Sequence, residues 1–339
     1  MKRLLVTGGL GFIGSHFIRL VLTARQAYEV INFDAVTYAG NPANCADLKT
    51  HPRYRFIKGN ICDSAAVEEA AAGGVDAIVN FAAETHVDRS ILDPDAFIRT
   101  DVLGAHVLLE AVRKYNIGRF VQVSTDEVYG DISSGASTED DALRPRSPYS
   151  ASKAGADLQV LAYWATYETP VIITRGSNTY GPFQYPEKLI PLFITNLIDG
   201  KAVPVYGDGM QQRDWIHVDD HARGVLHALE HGEPGNVYNI AGGNTRTNLE
   251  ITQLLVESLG RSMETHVTHV LDREGHDRRY ALDCTKARGL GWQPEVAFEE
   301  GLRNTIEWYR TNENWWRPLR SGEFKEYFKR QYLKRLISA

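Results

Sequence analysis

The first half of the chain alternates between short apolar runs and segments with helical apolar periodicity. The runs are rich in β-branched and aromatic residues and predict strands at residues 4–7, 30–33, 54–57, 77–81, 120–123 and 171–174. Glycine-containing turns and helical patterns separate them. This rhythm predicts an α/β fold built on a doubly wound parallel sheet.

Two long helices are predicted, over residues 95–115 and 149–167. Phe97, Leu103 and Leu108 belong to an apolar face on the first of them. Two such helices either pack inside the molecule or pair with a second copy of the chain. We expect a homodimer, although the pattern alone leaves both arrangements open.

Gly181-Pro182 and Tyr185-Pro186 mark a change in the character of the chain. Short strands, loops and helices are mixed beyond this point. We therefore predict a Rossmann-type domain over residues 1–178. A smaller mixed α/β C-terminal domain, over residues 179–339, is expected to hold the substrate.

Composition narrows the classes of partner. The 339 residues are 43% hydrophobic and carry a net charge of −6, so nothing indicates an overall basic surface for nucleic acid. No apolar stretch approaches the length of a membrane span. Three cysteines without C-x-x-C spacing, and histidines without metal-ligand spacing, predict neither a disulfide framework nor a metal site. We expect a cytoplasmic protein with no nucleic-acid or membrane partner.

A glycine-rich turn joins the first predicted strand to the helical pattern that follows it. Gly8, Gly11 and Gly14 allow a tight turn and close approach of the backbone to a pyrophosphate, which would face the helix N-terminus. Asp34 ends the second strand, twenty residues beyond Gly14, where an acid holds the adenosine ribose. Because a carboxylate there repels a 2′-phosphate, the pattern favours NAD over NADP. The alternative is a surface aspartate in a loop.

Weaker signals extend this cofactor site. The small residues Ala82 and Ala83 suit close passage beside a dinucleotide, and Asn60 or Ile61 borders the adenine in the same arrangement.

Arginines of the second half are candidates for binding a diphosphate, because the guanidinium fork matches its oxygens. They are Arg213, Arg278 and Arg279. For each of them, the alternative is a solvated surface residue.

Thr125, Asp126 and Glu127 end the fifth predicted strand. Ligands of open α/β sheets lie at the carboxyl ends of strands, so these side chains are expected to project into a substrate crevice. Two adjacent carboxylates there are suited to general acid and base chemistry. The alternative is that they merely cap the following turn.

Tyr149 and Lys153 are four residues apart at the start of the second long helix. This spacing places them on one helix face, roughly 6 Å apart along the axis. An ammonium beside a phenol lowers the phenol pKa from about 10, which makes Tyr149 a predicted base. The alternative is an amphipathic surface pair.

The order of these motifs resembles the extended short-chain dehydrogenase/reductase superfamily. More narrowly, the chain is similar over nearly its whole length to the dTDP-glucose 4,6-dehydratase family. The similarity rests on DAVTYAGN at 34–41, ETHVDRS at 84–90, STDEVYG at 124–130, DGMQQRDW at 208–215, GHDRRY at 275–280 and WWRP at 315–318. Asn60 and Asn80 depart from the family pattern. The family usually has Asp at the position of Asn60 and frequently has His at the position of Asn80.

The resemblance implies two sets of binding residues and a returning segment near residues 215–243 that rejoins the nucleotide domain. The cofactor residues it implies, together with those argued above, are Gly8, Gly11, Phe12, Ile13, Gly14, Asp34, Thr37, Asn60, Ile61, Ala82, Ala83, Thr100, Tyr149, Lys153 and Thr179. The implied substrate contacts are Thr85, Thr125, Asn178, Lys188, Leu189, Pro204, Tyr206, Arg213, Asn248 and His276.

The implied reaction converts dTDP-glucose to dTDP-4-keto-6-deoxyglucose and water. Tyr149, with Lys153 and Thr125, serves oxidation at C4, Glu127 is the base at C5, and Asp126 is the acid at C6. The alternatives are a nucleotide-sugar 4-epimerase, a UDP-sugar 4,6-dehydratase and a non-catalytic NAD-binding dimer. Thymidine and uridine differ by one methyl group, and the sequence does not choose between them.

Overall fold

A computed structural model describes residues 2–328 and 331–332 of the chain. Its strands are β1 (Lys2–Thr7), β2 (Tyr28–Asp34), β3 (Tyr54–Lys58), β4 (Ala77–Asn80), β5 (Phe120–Thr125), β6 (Val171–Gly176), β7 (Asn178–Tyr180), β8 (Val203–Tyr206), β9 (Gln212–His217), β10 (Val237–Ile240), β11 (Thr245–Thr247) and β12 (Val267–Val270).

The helices alternate with these strands. They are α1 (Phe12–Ala24), α2 (Ser64–Ala71), α3 (Val87–Leu92), α4 (Pro94–Phe97), α5 (Gly104–Lys114), α6 (Pro148–Tyr167), α7 (Leu189–Ile198), α8 (Val218–His231), α9 (Asn248–Ser258), α10 (Met263–His266), α11 (Thr285–Gly289), α12 (Phe298–Thr311), α13 (Glu313–Leu319) and α14 (Glu323–Phe328). Short 3₁₀ helices cover Pro42–Leu48 and Asp126–Tyr129, and a π-helical turn covers Ile98–Leu103.

The main sheet of the described residues contains seven strands in the order β10-β6-β5-β4-β1-β2-β3, and every neighbouring pair is parallel. Apolar cores cover both faces. Val6 and Val121 point to the face covered by α1 and α8, whereas Leu5 and Phe120 point to the face covered by α2, α5 and α6. The predicted doubly wound α/β sheet is therefore confirmed, and each of the six predicted strands is present.

The helix predicted over residues 95–115 is interrupted. Helices α4 and α5 are joined by the π turn at Ile98–Leu103. In a π turn the backbone hydrogen bonds join residues i and i+5, so the regular α-helical pattern is interrupted. The helix predicted over residues 149–167 is α6, whose N-terminus has a capping box formed by Ser147 and Ser150. Apolar periodicity predicted both helical segments but contains no signal for the π turn.

Residues 218–240 return to the main sheet. Phe17 and Val21 of α1 share one hydrophobic core with Val225 and Leu229 of α8, and β10 pairs with β6. A separate core lies between α7, α9 and α12 beside the small sheets β11-β9-β7 and β12-β8. The numerical limits of the two domains stay a prediction.

Among the helices of residues 2–328 and 331–332, none has both the length and the apolar character needed to cross a membrane.

Candidate active site

A cavity of about 380 Å³ lies at the carboxyl ends of the main-sheet strands, and a second of about 140 Å³ adjoins it. Glu127, Asn178 and Lys188 are among the residues that line both. Each residue that the sequence assigned to the cofactor or to catalysis lines the larger cavity. Of the residues assigned to the substrate, Thr85 and Thr125 line the larger cavity, Asn178, Lys188 and Leu189 line both, and the smaller one is lined by Pro204, Tyr206, Arg213, Asn248 and His276.

The glycine turn forms one wall of the larger cavity. Gly8 has φ +67°, and a Cβ added there would lie 2.5 Å from the amide nitrogen of Ala82. A Cβ on Gly14 would lie 2.5 Å from the carbonyl oxygen of Gly8. No described side chain caps the N-terminus of α1 at Gly11, so its first amides are available to an anion. The wall therefore fits a dinucleotide pyrophosphate.

Asp34 lies at the end of β2, on the cavity wall. Its Oδ2 accepts a hydrogen bond from the Leu10 amide at 3.0 Å, and its Oδ1 accepts one from the Val36 amide at 2.7 Å. Burial raises the pKa of Asp34, and these two bonds oppose that rise. The carboxyl group is fixed where a ribose would meet it.

The alternative that Asp126 and Glu127 merely cap a turn is wrong, because a neighbour performs that role. The Thr125 hydroxyl oxygen accepts the Glu127 amide at 3.3 Å and caps the 3₁₀ helix Asp126–Tyr129. The same hydroxyl donates to Asp126 Oδ1 at 3.0 Å. Both carboxyl groups line the larger cavity.

The two carboxyl groups have different electrostatic surroundings. Burial, and then the neighbouring Glu127, raises the pKa of Asp126 to about 8. Burial also raises the pKa of Glu127, but cations facing it oppose that rise; they are Arg273, Arg213 and Lys188. At neutral pH, Asp126 is protonated and can donate a proton, while the cations favour the carboxylate form of Glu127.

Tyr149 and Lys153 both face the larger cavity from the first turns of α6. Lys153 Nζ donates to the carbonyl oxygen of Val123 at 2.8 Å. Burial raises the pKa of Tyr149 well above its ordinary value, and the next causes are the carboxyl groups of Glu127, Asp101 and Asp126. The expectation that the Tyr149 pKa is lowered is therefore wrong for the chain on its own, because burial and the carboxyl groups raise it.

The three arginines predicted to bind a diphosphate are separated by the fold. Arg213 lines the smaller cavity, and its Nη2 donates to the Asp277 carbonyl oxygen at 2.9 Å. Arg278 instead pairs with the exposed Asp208 at 2.8 Å, and neither it nor Arg279 is among the described residues that line the cavities. For Arg278 this pairing favours the alternative, a solvated surface residue, and a role of Arg279 at the diphosphate stays a prediction.

Sequence reasoning missed Arg273. This arginine lines the smaller cavity, and its Nη1 lies 3.6 Å from Oδ1 of the buried Asp88. It is three residues before His276, in the same loop. That proximity to an implied substrate contact was the available signal.

No pattern in the sequence identified several other residues that line the cavities. Glu187 accepts a hydrogen bond from Arg89 at 2.8 Å on the boundary between the cavities, and His221 lies 2.7 Å from the Thr179 hydroxyl. Burial, and then Asp101, raises the pKa of Glu84 to about 7. Contacts between distant segments create these features.

The two departures from the family pattern have structural partners. Asn60 lines the larger cavity while its Oδ1 accepts the Cys62 amide at 2.9 Å. Asn80 links neighbouring strands, because it accepts the Thr7 hydroxyl at 2.5 Å and donates to Gln122 at 2.8 Å. Asn80 thus belongs to a buried polar network beneath the site.

Comparison with known proteins agrees with this geometry. Residues 5–305 match a family model described as GDP-mannose 4,6 dehydratase. The dTDP-glucose 4,6-dehydratase of Streptomyces niveus is 51% identical over 326 residues, which is 95% of this chain and 96% of that protein.

Solved structures give the same result. DesIV, a dTDP-glucose 4,6-dehydratase of Streptomyces venezuelae solved with NAD and TYD bound, has a TM-score of 0.92 and 52% identity, covering 94% of this chain and all of that one. UDP-glucose 4-epimerase of Thermus thermophilus, solved with NAD, is more distant, with a TM-score of 0.85 and 30% identity over 92% of this chain and 100% of that one. The chain belongs to the dTDP-glucose 4,6-dehydratase family, within the extended short-chain dehydrogenases/reductases.

Proposed function

We propose that this protein is an NAD-dependent dTDP-glucose 4,6-dehydratase, a hydro-lyase that forms dTDP-4-keto-6-deoxyglucose and water. The observation that carries the proposal is the pair Asp126 and Glu127, in unlike electrostatic surroundings, lining one cavity with Tyr149 and Lys153. The similarity to dehydratases over most of the chain supports it.

The larger cavity suits NAD. The glycine turn and the uncapped start of α1 would hold the pyrophosphate, and the Asp34 carboxylate would accept hydrogen bonds from the adenosine ribose. Asp34 disfavours a 2′-phosphate by charge repulsion. When bound, NAD takes up the hydride from C4 of the sugar and returns it to C6.

Oxidation at C4 requires removal of the hydroxyl proton. Tyr149 as phenolate would accept it, and the Thr125 hydroxyl would bond to the same oxygen. Because burial and the surrounding carboxyl groups oppose ionisation of Tyr149, the phenolate depends on positive charge, which Lys153 and a nicotinamide ring provide. The new ketone then acidifies the hydrogen at C5.

Elimination follows at C5 and C6. Glu127 takes the C5 proton as general base, and Asp126, protonated at neutral pH, gives a proton to the departing C6 hydroxyl. C5 is reprotonated once C6 has received the hydride, which completes the 4-keto-6-deoxy sugar. Lys188, Arg213 and Arg273 line the adjoining cavity, where they would hold the diphosphate of the substrate. His276 and Tyr206 line the same cavity with their ring centroids 5.9 Å apart, and we place the nucleoside beside them.

A nucleotide-sugar 4-epimerase would use Tyr149 and NAD but has no need for an elimination acid and base. The distinct environments of Asp126 and Glu127 favour the dehydratase. Incubation of the purified protein with dTDP-glucose separates these functions. A 4-keto sugar with a mass loss of one water is expected; dTDP-galactose instead would mean an epimerase.

Parallel incubation with UDP-glucose tests the nucleotide. We expect a higher kcat/KM for dTDP-glucose, by the roughly 10-fold or more that one methyl group provides in a fitted pocket. Equal or reversed preference would redirect the assignment to a UDP-sugar 4,6-dehydratase. No turnover of either substrate by NAD-loaded protein would leave the non-catalytic NAD-binding alternative.

We also propose that the protein is a homodimer. Ile98, Leu103 and Leu158 are 57%, 43% and 57% exposed on the π turn and on α6, the two helical segments that pack together. Exposed apolar side chains on two adjacent helical segments suit a self-complementary interface between two copies of the chain. A Leu158→Glu variant should sediment as a monomer, whereas Phe56→Glu, on the opposite edge of the sheet, should not; unchanged sedimentation of Leu158→Glu would refute this interface. The cytoplasmic location stays a prediction.

A further inference from the structure

We propose that the Asp101 carboxylate is a positioning residue that opposes ionisation of the Tyr149 base and thereby sets the pH at which the reaction begins. This inference rests on the proposed function and adds to it a residue outside the sequence-derived site.

Asp101 lies in the π turn and is 2% exposed. Its Oδ2 accepts a hydrogen bond from the Ser152 hydroxyl at 2.6 Å, and its Oδ1 accepts one from the Glu84 amide at 2.9 Å. Both oxygens are therefore fixed, one by α6 and the other by the loop after β4. Bonds of this kind hold a carboxylate in its charged form.

Ser152 connects Asp101 to the catalytic turn of α6. Its hydroxyl oxygen lies 2.6 Å from Asp101 Oδ2 and 2.8 Å from the Tyr149 carbonyl oxygen. Phe97, the last residue of α4 before the π turn, packs its ring edge-on against that of Tyr149, with the ring centroids 6.1 Å apart. Asp101 is thus held at a fixed position relative to the base.

Titratable groups face Asp101 from three neighbouring elements. Lys153 faces it from α6 and favours the carboxylate, the carboxyl group of Glu84 follows β4, and the thiol of Cys62, which is neutral because burial raises its pKa, follows β3. Arg99 is the charged residue nearby on the π turn itself. Burial raises the pKa of Asp101 to about 6, so the group is an anion at neutral and alkaline pH.

Three carboxyl groups act on Tyr149, and they differ in charge. Asp126 is protonated below about pH 8, whereas Asp101 is an anion above about pH 6, and burial raises the pKa of Glu127 against the cations that face it. Glu127 is the proposed C5 base, whereas Asp101 has no role in bond making. Asp101 therefore offsets the positive charges that favour phenolate, and it keeps the phenolate basic enough to take a hydroxyl proton.

The test compares the pH profiles of kcat for NAD-loaded wild type, Asp101→Asn and Ser152→Ala. In Asp101→Asn, the side chain keeps its size and its capacity for hydrogen bonds but loses its negative charge. Ser152→Ala removes the hydroxyl that links Asp101 to Tyr149 and leaves the charge of Asp101 in place. We expect the acid limb of Asp101→Asn to move down by about one pH unit, because the phenol ionises more readily. The acid limb of the kcat profile of Ser152→Ala should lie at the same pH as that of the wild type.

A second measurement does not depend on turnover. The tyrosinate absorbance of each NAD-loaded protein, minus that of its Tyr149→Phe counterpart, follows Tyr149 alone, and its midpoint should fall by the same amount in Asp101→Asn. An unmoved midpoint and limb in folded Asp101→Asn would overturn the inference. If that variant does not fold, Asp101→Ser takes its place with the same expectations. Wild-type protein without dehydratase activity would refute the proposed function, and the absorbance titration would still decide the role of Asp101.

Discussion

Asp126 and Glu127 are neighbours in sequence, yet the fold gives them different electrostatic environments. Asp126 is buried and bonds to the Thr125 hydroxyl, and its pKa rises to about 8 through burial and then the charge of Glu127, against the smaller opposing effects of that bond and of Arg213. Glu127 faces Arg273, Arg213 and Lys188, which oppose the effect of burial on its pKa. One residue is thereby suited to donate a proton and the other to accept one.

Replacement of the base should separate the two halves of the reaction. Oxidation at C4 does not require the Glu127 carboxylate, whereas removal of the C5 proton does. We expect reduced cofactor to accumulate at 340 nm after addition of dTDP-glucose, with product formation slower by 10²-fold or more. The exposed Glu69→Gln variant on α2 is the control. Normal keto-sugar yield from Glu127→Gln would contradict the assignment.

Asp126 predicts an alkaline limit to activity. A group with a pKa of about 8 carries its proton below that pH, so kcat should fall as pH rises through about 8. A substrate with fluoride at C6 needs no proton for departure. With that substrate the alkaline limb should disappear, and Asp126→Asn should recover activity that it lacks with dTDP-glucose. A limb that persists with the fluoride substrate would assign it to another group.

Two arginines five residues apart should behave differently. Arg273 faces the smaller cavity, whereas Arg278 is paired at the surface with Asp208. Arg273→Gln should raise the Kd for dTDP by about 10-fold to 100-fold, the effect of about 1.5–3 kcal/mol for a charge-assisted bond. Arg278→Gln should leave it unchanged. Calorimetric titration of both variants with dTDP measures this, and equal losses would contradict the placement of the diphosphate.

Asp34 should determine the choice of dinucleotide. Asparagine keeps one of the two oxygens that accept backbone hydrogen bonds, replaces the other by an amide nitrogen, and removes the charge that repels a 2′-phosphate. We expect Asp34→Asn to reduce the preference for NAD over NADP by about tenfold. Binding of each dinucleotide to cofactor-free protein measures the ratio, with the exposed Asp95→Asn as control. An unchanged ratio would show that Asp34 does not face the ribose.

Local patterns in the sequence were sufficient to predict the fold and the turn around which the site forms. Strand and helix periods arise from backbone geometry, so the strands through β6 and helix α6 followed from the spacing of apolar residues. The positions of Gly8, Asp34 and Asp126 followed as well, because each comes directly after a strand or ends one. Side chains at the carboxyl ends of neighbouring parallel strands necessarily meet at one edge.

Tertiary structure decided the features that depend on distant contacts. The choice of Arg273 over Arg278, the fixed position of Asp101 and the direction of the Tyr149 pKa shift all depend on groups far apart in the sequence. Burial and the field of several charges fall off with distance in space, and the linear order of residues does not contain those distances. The sequence therefore determined which chemical groups are present, and the folded structure determined their protonation and their partners.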